Sequence, residues 1–143
     1  MLWNKNTLQR EPRRGAAAIE FGLWLLPMAI LISGIVDLGW YMSRYHLVQS
    51  ATTDATRYGV RFATQEDAGD AGDKQESAAV FRADQMLDDF GIGYTTLDAA
   101  YEAGAYDQLR TTVEAPFVPL IGIVPMPTNI RAEFVMMSEL QRP

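Results

Sequence analysis

The residues of this chain best able to do chemistry are its carboxylates, and they sit in very different surroundings. Glu20 lies within residues 15–36 (GAAAIEFGLWLLPMAILISGIV), a run that is otherwise uncharged. A charge at the centre of a bilayer costs about 2.5–3.5 kcal/mol on insertion scales, so an acid in such a run points to a function, such as an ion pair. Asp37 closes the uncharged stretch and reads as an interface residue near the outer leaflet rather than a relay. Asp67, Asp70 and Asp73 have triplet spacing but lack the register and closing Glu of a Ca²⁺ loop, and read as a solvated acidic turn. His46, the single histidine, has no Cys or nucleophile motif beside it. Asp88-Asp89 ends a surface helix, unfavourable to the helix dipole but ordinary in a solvated turn. With no cysteine there is no disulfide and no thiolate metal site. The expectation is a protein that is not an enzyme, with no catalytic residue, metal, cofactor or small-molecule substrate.

The elements that hold these acids divide the chain unevenly. Residues 1–15 carry four basic groups (Lys5, Arg10, Arg13, Arg14) against Glu11, a net of +3, while residues 16–143 carry eight basic against 17 acidic groups, a net of −9. An apolar helix of about 20 residues crosses a bilayer, and flanking basic residues stay on the cytoplasmic side. The expected organisation is a basic cytoplasmic leader at 1–15, a transmembrane half-helix at 16–43 and an exported α+β domain at 44–143. Between Glu20 and Asp37 lie 16 uncharged residues, roughly 24 Å of helix at ~1.5 Å each. That is thin for a core of ~30 Å, so one of the two acids belongs at or below the interface. Trp40, Tyr41 and Tyr45 suit the outer headgroup level, with Arg44 just beyond. Pro27 removes the helical partner of the Leu23 carbonyl and is expected to bend the helix. Ala18 with Gly22, and Ala29 with Ser33, form weak small-xxx-small signals. An acidic exported domain excludes nucleic acid as a partner.

Beyond the apolar run, Leu47, Ala51, Ala55, Tyr58 and Phe62 recur at helical spacing, which predicts one unbroken helix from about Ala16 to Ala63. Residues 64–73 form an acidic, glycine-rich loop. A second amphipathic helix follows from about Lys74 to Phe90, burying Ala79, Val80, Ala83, Leu87 and Phe90 and stopped by Gly91. The period then changes to two. Residues 94–102, 108–115 (Leu109, Thr111, Val113 and Ala115 inward) and the stretch around Ile130, Ala132, Phe134 and Met136 read as strands, with a turn near Ala103-Gly104. Residues 116–127 (PFVPLIGIVPMP) hold four prolines and cannot be a central strand. They form an apolar loop that covers the sheet, touches the membrane or meets a partner. The fold class is therefore α+β: a long N-terminal helix, a second amphipathic helix and a small antiparallel sheet of about three strands.

The same residues carry a family likeness. Gly15 with Glu20-Phe21 five positions on, basic residues before and a greasy helix after, resembles the processing site of type IV prepilins and pseudopilins. From Gly15 to Arg61 the chain is similar to the TadE-like family, through Gly15, Glu20-Phe21, Pro27, the Gly34–Gly39 run and Asp54-Ala55-Thr56-Arg57. The end of the chain, with Met136, Met137 and Glu139, also resembles that family. The resemblance implies a minor pseudopilin of the tight-adherence (Tad/Flp) pilus in the bacterial inner membrane. It implies cleavage after Gly15 by a prepilin peptidase, with Ala16 as the mature N-terminus and Glu20 and Phe21 read during recognition and assembly. Its partners would be membrane lipid, the peptidase, other pilins and pseudopilins, and the assembly machinery. Loss of the leader would free Glu20 to pair with a neighbour's new α-amine and set axial register. The competing expectation is an uncleaved single-pass membrane protein, with Glu20 snorkelling toward Arg13 and Arg14 and an acidic domain that binds a partner. Ordinary signal-peptidase cleavage fits poorly, because no A-x-A site follows the apolar run.

Overall fold

The computed structural model describes residues 12–62, 71–104 and 106–137, the side chains of 12–14 and 71 excepted. Within them the chain is α+β, in the order α1 (Pro12–Phe62), α2 (Ala71–Asp89), β1 (Thr96–Glu102), β2 (Gln108–Pro116) and β3 (Asn129–Met137). Helix α1 has 51 residues, about 76 Å at ~1.5 Å per residue, and it runs without interruption through Pro27. It begins four residues before the expected Ala16. The end of the expected leader, with Arg13 and Arg14, is helical. Pro12 explains the early start: its φ suits a first helical position, where its missing N–H costs nothing. The expected last residue, Ala63, lies outside the described residues, as do Asp67 and Asp70 of the acidic loop, Glu139, and leader residues 1–11.

Helix α2 starts at Ala71, inside the segment read as loop, and places Asp73 in its first turn, where a carboxylate favours the helix N-terminus. Its other end follows the sequence expectation. Gly91 adopts φ 62°; its N–H bonds the Asp88 carbonyl at 2.9 Å, and the Ile92 N–H bonds the Leu87 carbonyl at 2.9 Å. This is a Schellman cap, and Ile92 and Leu87 meet in the same core cluster.

The sheet is a meander, β1-β2-β3, antiparallel throughout. Leu109, Thr111, Val113 and Ala115 of β2 all face the helices, as their alternation predicts, and Ala115 stands opposite Ile130, Val113 opposite Ala132. Pro116 is the last residue of β2 and so belongs, by one position, to a strand from which its proline character was taken to exclude it. It pairs only with Asn129 of β3, past the last rung that β1 reaches, so its missing donor leaves no gap in the ladder. Edge strand β1 is shorter than expected, and α2 partly covers its open side: the Tyr101 N–H bonds the Glu76 carboxylate at 2.6 Å. Tyr94, just before β1, donates its hydroxyl to Asp84 at 2.7 Å. That bond, with burial and the Asp84 charge, raises the phenol above its ordinary pKa. The contribution is therefore present at neutral pH and lost as pH climbs through the raised value.

The contact between the helices departs from the expected stripe. Val48, Ala51, Thr52, Ala55 and Thr56 of α1 are buried, whereas Tyr58 and Phe62 remain 41% and 52% exposed. The buried face is rotated onto threonines, which simple apolar counting leaves out. Thr52 and Thr56 donate their hydroxyls to the carbonyls of Val48 and Thr52, at 2.8 and 2.7 Å, so they can be buried without losing a hydrogen bond. Small residues bring the helices close, and Gly59 is where the approach is tightest. A Cβ at Gly59 would lie 2.7 Å from the Gln75 carbonyl oxygen and 2.9 Å from Ala79 Cβ. In an open helical position Gly→Ala gains about 1 kcal/mol. At position 59 overpacking of about 1–3 kcal/mol opposes that gain. Gly59→Ala is expected to lower the melting temperature of the full chain in detergent micelles, whereas Gly39→Ala, where a Cβ meets nothing within 4 Å, does not. A rise at both positions would refute the close packing.

Candidate functional site: the apolar helix and the Asp37 clamp

The sequence-predicted site residues all lie on α1 but are not gathered into a pocket. Gly15, Ala16, Glu20 and Phe21 are exposed, as is Pro27. Arg13 and Arg14 belong to the first turn of the helix, with side chains outside the description. Glu20 makes no ion pair or hydrogen bond among the described residues. From Gly15 to Ile32 every residue of α1 is exposed, including Leu23 at 76%, Trp24 at 76% and Leu31 at 67%. A helix this greasy on all sides has no use for water, and α1 is long and apolar enough to cross a membrane.

The surroundings change at Ser33. Ser33 and Asp37, one turn apart on α1, are both buried, and Asp37 has no exposure at all. What covers them is the proline-rich connection between β2 and β3. The two Asp37 carboxylate oxygens accept the backbone N–H groups of Ile121 and Gly122, at 2.8 and 3.0 Å. Gly122 is in the left-handed region, φ 72°, which helps successive N–H groups converge on one anion. Asp37 is therefore no free interface charge, as its sequence position alone suggested. It is a clamp between elements 84 residues apart.

Contacts above and below the clamp give the loop a direction. Phe117, buried in the core, meets the Tyr41 ring edge-on, with centroids 5.1 Å apart. Arg44 lies over the Trp40 ring at 4.6 Å, and both residues line a cavity with Phe117 and Leu120. Lower down, Val124 approaches Gly34 so closely that a Cβ there would sit 3.4 Å from it. The loop thus descends the helix from Tyr41 through Asp37 to Gly34. Ser33, one residue of the Ala29–Ser33 small pair, is already buried within the chain itself. Ser33 Oγ has no hydrogen-bond partner in this contact. The aromatic group at 40–45 packs against the head's core instead of standing free.

Among the described residues, the acids outside this region do not converge on a common site. Asp54 pairs with Arg82 (3.0 Å) across α1 and α2, and Glu133 with Arg110 (2.7 Å) on the outer sheet face. All four side chains are about a third or more exposed, where such pairs contribute about 0–1 kcal/mol. His46 is exposed, and among the described residues no group of three or more His, Asp or Glu is placed to hold a metal.

The geometry defines the class first: a single apolar helix of membrane-crossing length whose upper half is built into a small α+β head. Within that class, residues 15–57 match the family model of TadE-like proteins, a similarity that opens at Gly15 and ends at Arg57. Comparison with curated proteins and with solved structures gives no match.

The Asp37 clamp had a signal in the sequence, an acid in an apolar helix and an uncharged proline-rich segment, but no local pattern joins them. Asp37→Ala leaves two N–H groups without their acceptor, at a cost of about 1–3 kcal/mol. Amide exchange of the 117–124 segment in micelles is expected to quicken by about tenfold or more, since ~1.4 kcal/mol is a factor of ten. Unchanged exchange would show that other contacts hold the loop.

Proposed function

We propose that the chain is a minor pseudopilin of a tight-adherence pilus, a structural and assembly subunit without catalytic activity. In this reading it sits in the bacterial inner membrane, N-terminus in the cytoplasm and head outside. A prepilin peptidase removes the leader after Gly15, and sister pilins and the assembly machinery receive the helix that begins at Ala16. The observation that carries the reading is the lower half of α1, apolar and open on every side from Gly15 to Ile32, within the segment that matches the family. Such a surface exchanges lipid for neighbouring helices at little cost, because both are apolar. Glu20 is the exception on that surface. Unpaired among the described residues, it fits an ion pair with a neighbour's α-amine, which would cost several kcal/mol to leave unmade in a water-free filament.

One observation favours the alternative, an uncleaved membrane anchor with a partner-binding acidic head. The helix is continuous across the Gly15–Ala16 bond, and a helical peptide bond must be unwound before a protease can use it. Gly15 eases that step, being a poor helix former close to the helix start. It is also free of packing duties, since a side chain at Gly15 would meet nothing within 4 Å.

Gly15→Arg therefore tests recognition without disturbing the fold. Co-expressed with a prepilin peptidase, the unaltered chain should give an intact mass and N-terminal sequence beginning at Ala16, and the variant should retain Met1. Identical masses with and without peptidase would exclude the pseudopilin reading. Glu20→Leu should still insert and should abolish surface fibres; fibres at normal abundance would remove the role assigned to that carboxylate.

A further inference from the structure

The loop between β2 and β3 presents a second apolar surface, beside that of α1. Val118 is 76% exposed, Leu120 61% and Ile123 59%, and no residue from Pro116 to Thr128 is charged. The loop does not spend these side chains on covering the sheet: Phe117 enters the core, while the tip leans on the lower part of α1 through Asp37 and Gly34. Gly34 lies ten residues below Arg44, about 15 Å at ~1.5 Å each.

We propose that residues Val118–Val124 form a wedge that enters the membrane beside α1, in the leaflet nearest the head, with lipid acyl chains covering Leu120 and Ile123. The proposal rests on α1 crossing the membrane, as in the reading above. Three observations support lipid as the occupant. The exposed loop residues continue the apolar surface of α1, where Leu31, Ile35 and Leu38 are 67%, 70% and 50% exposed. Part of the loop backbone needs no water. Pro116, Pro119, Pro125 and Pro127 have no N–H; those of Ile121 and Gly122 are held by Asp37, and that of Phe117 by the Thr128 carbonyl at 2.7 Å. The N–H groups of Val118, Leu120, Ile123 and Val124 bond nothing among the described residues, so the wedge stays at headgroup depth, where water reaches them, because irregular backbone enters the hydrocarbon core only when its polar groups are satisfied or shielded by protein. Finally, the clamp resolves the short span. With the Asp37 oxygens turned inward and unexposed, the lipid-facing stretch extends from Phe21 to Ser43, 23 residues and about 35 Å of helix, enough for a ~30 Å core.

The absence of cysteine makes the test clean. Single cysteines at Leu120, Ile123, Leu31 and Asp98, each exposed, would carry an environment-sensitive NBD label on the full chain. The labelled chain is reconstituted at low density in vesicles of phosphatidylethanolamine and phosphatidylglycerol, with nitroxide-labelled lipids as quenchers. Labels at 120 and 123 should be blue-shifted and quenched several-fold more than the label at 98, most strongly by nitroxides near the headgroups, while the label at 31 responds to deep ones. If 31 is quenched and 120 and 123 behave like 98, the wedge is refuted and the spanning helix stands. If 31 is not quenched, the membrane reading fails, and the wedge with it. A blue shift at 120 and 123 that grows with protein density and ignores lipid nitroxides would mean that a second copy covers the loop, which also overturns the proposal.

Discussion

The constraint on which the rest of this architecture depends is that one helix must satisfy two solvents. From Gly15 to Ile32, α1 is apolar apart from Glu20 and exposed on every side; above Val48 it is a core element whose small residues let α2 come close. The apolar surface of the first half demands lipid or protein. The second half demands the opposite, a polar outer face with a narrow buried stripe. No break in the helix separates the two.

The region between them, 33–48, is where the two demands conflict, and the β2–β3 connection resolves the conflict. Asp37 is an acid in a place where an exposed charge suits neither lipid nor a packed interface. Two backbone N–H groups give it partners, and in return its carboxylate gives the loop acceptors. An unmet carboxylate or N–H in apolar surroundings is costly, so each side of the clamp stabilises the other. Tyr41 against Phe117 and Trp40 beneath Arg44 extend the same junction upward.

Much of the fold was legible because its signals are local. The alternation at 108–115 names the buried residues of β2, Gly91 names the cap of α2, and the apolar run followed by helical spacing names the unbroken α1. The buried stripe of α1 departs from the apolar spacing because Tyr58 and Phe62 look like core residues while Thr52 and Thr56 do not. A hydroxyl that bonds its own helix behaves as a small apolar surface. The start of α1 was placed at Ala16 because the basic residues of the leader hid the helix-starting value of Pro12. For the site, the exposed positions of Gly15, Glu20 and Phe21 follow directly from the apolar run around them. Burial of Asp37 does not, since it depends on residues 84 positions away that only the folded meander brings back to α1.

This arrangement bears on how such a helix could leave a bilayer. A bare apolar rod exchanges lipid for neighbouring helices with little net change, since both surroundings are hydrocarbon-like. A rod with the 117–124 loop fastened to it by Asp37 does not move alone. Leu120 and Ile123 travel with it, and each large apolar side chain left in water costs about 1.5–3 kcal/mol relative to full burial. A subunit entering a filament must then either place the loop against a neighbour or open the clamp. The second course exposes a carboxylate and two N–H groups to water, which receives them readily. An unmet carboxylate or N–H costs more where water is excluded than where it is admitted, so the hydrogen bonds of the clamp matter most in apolar surroundings.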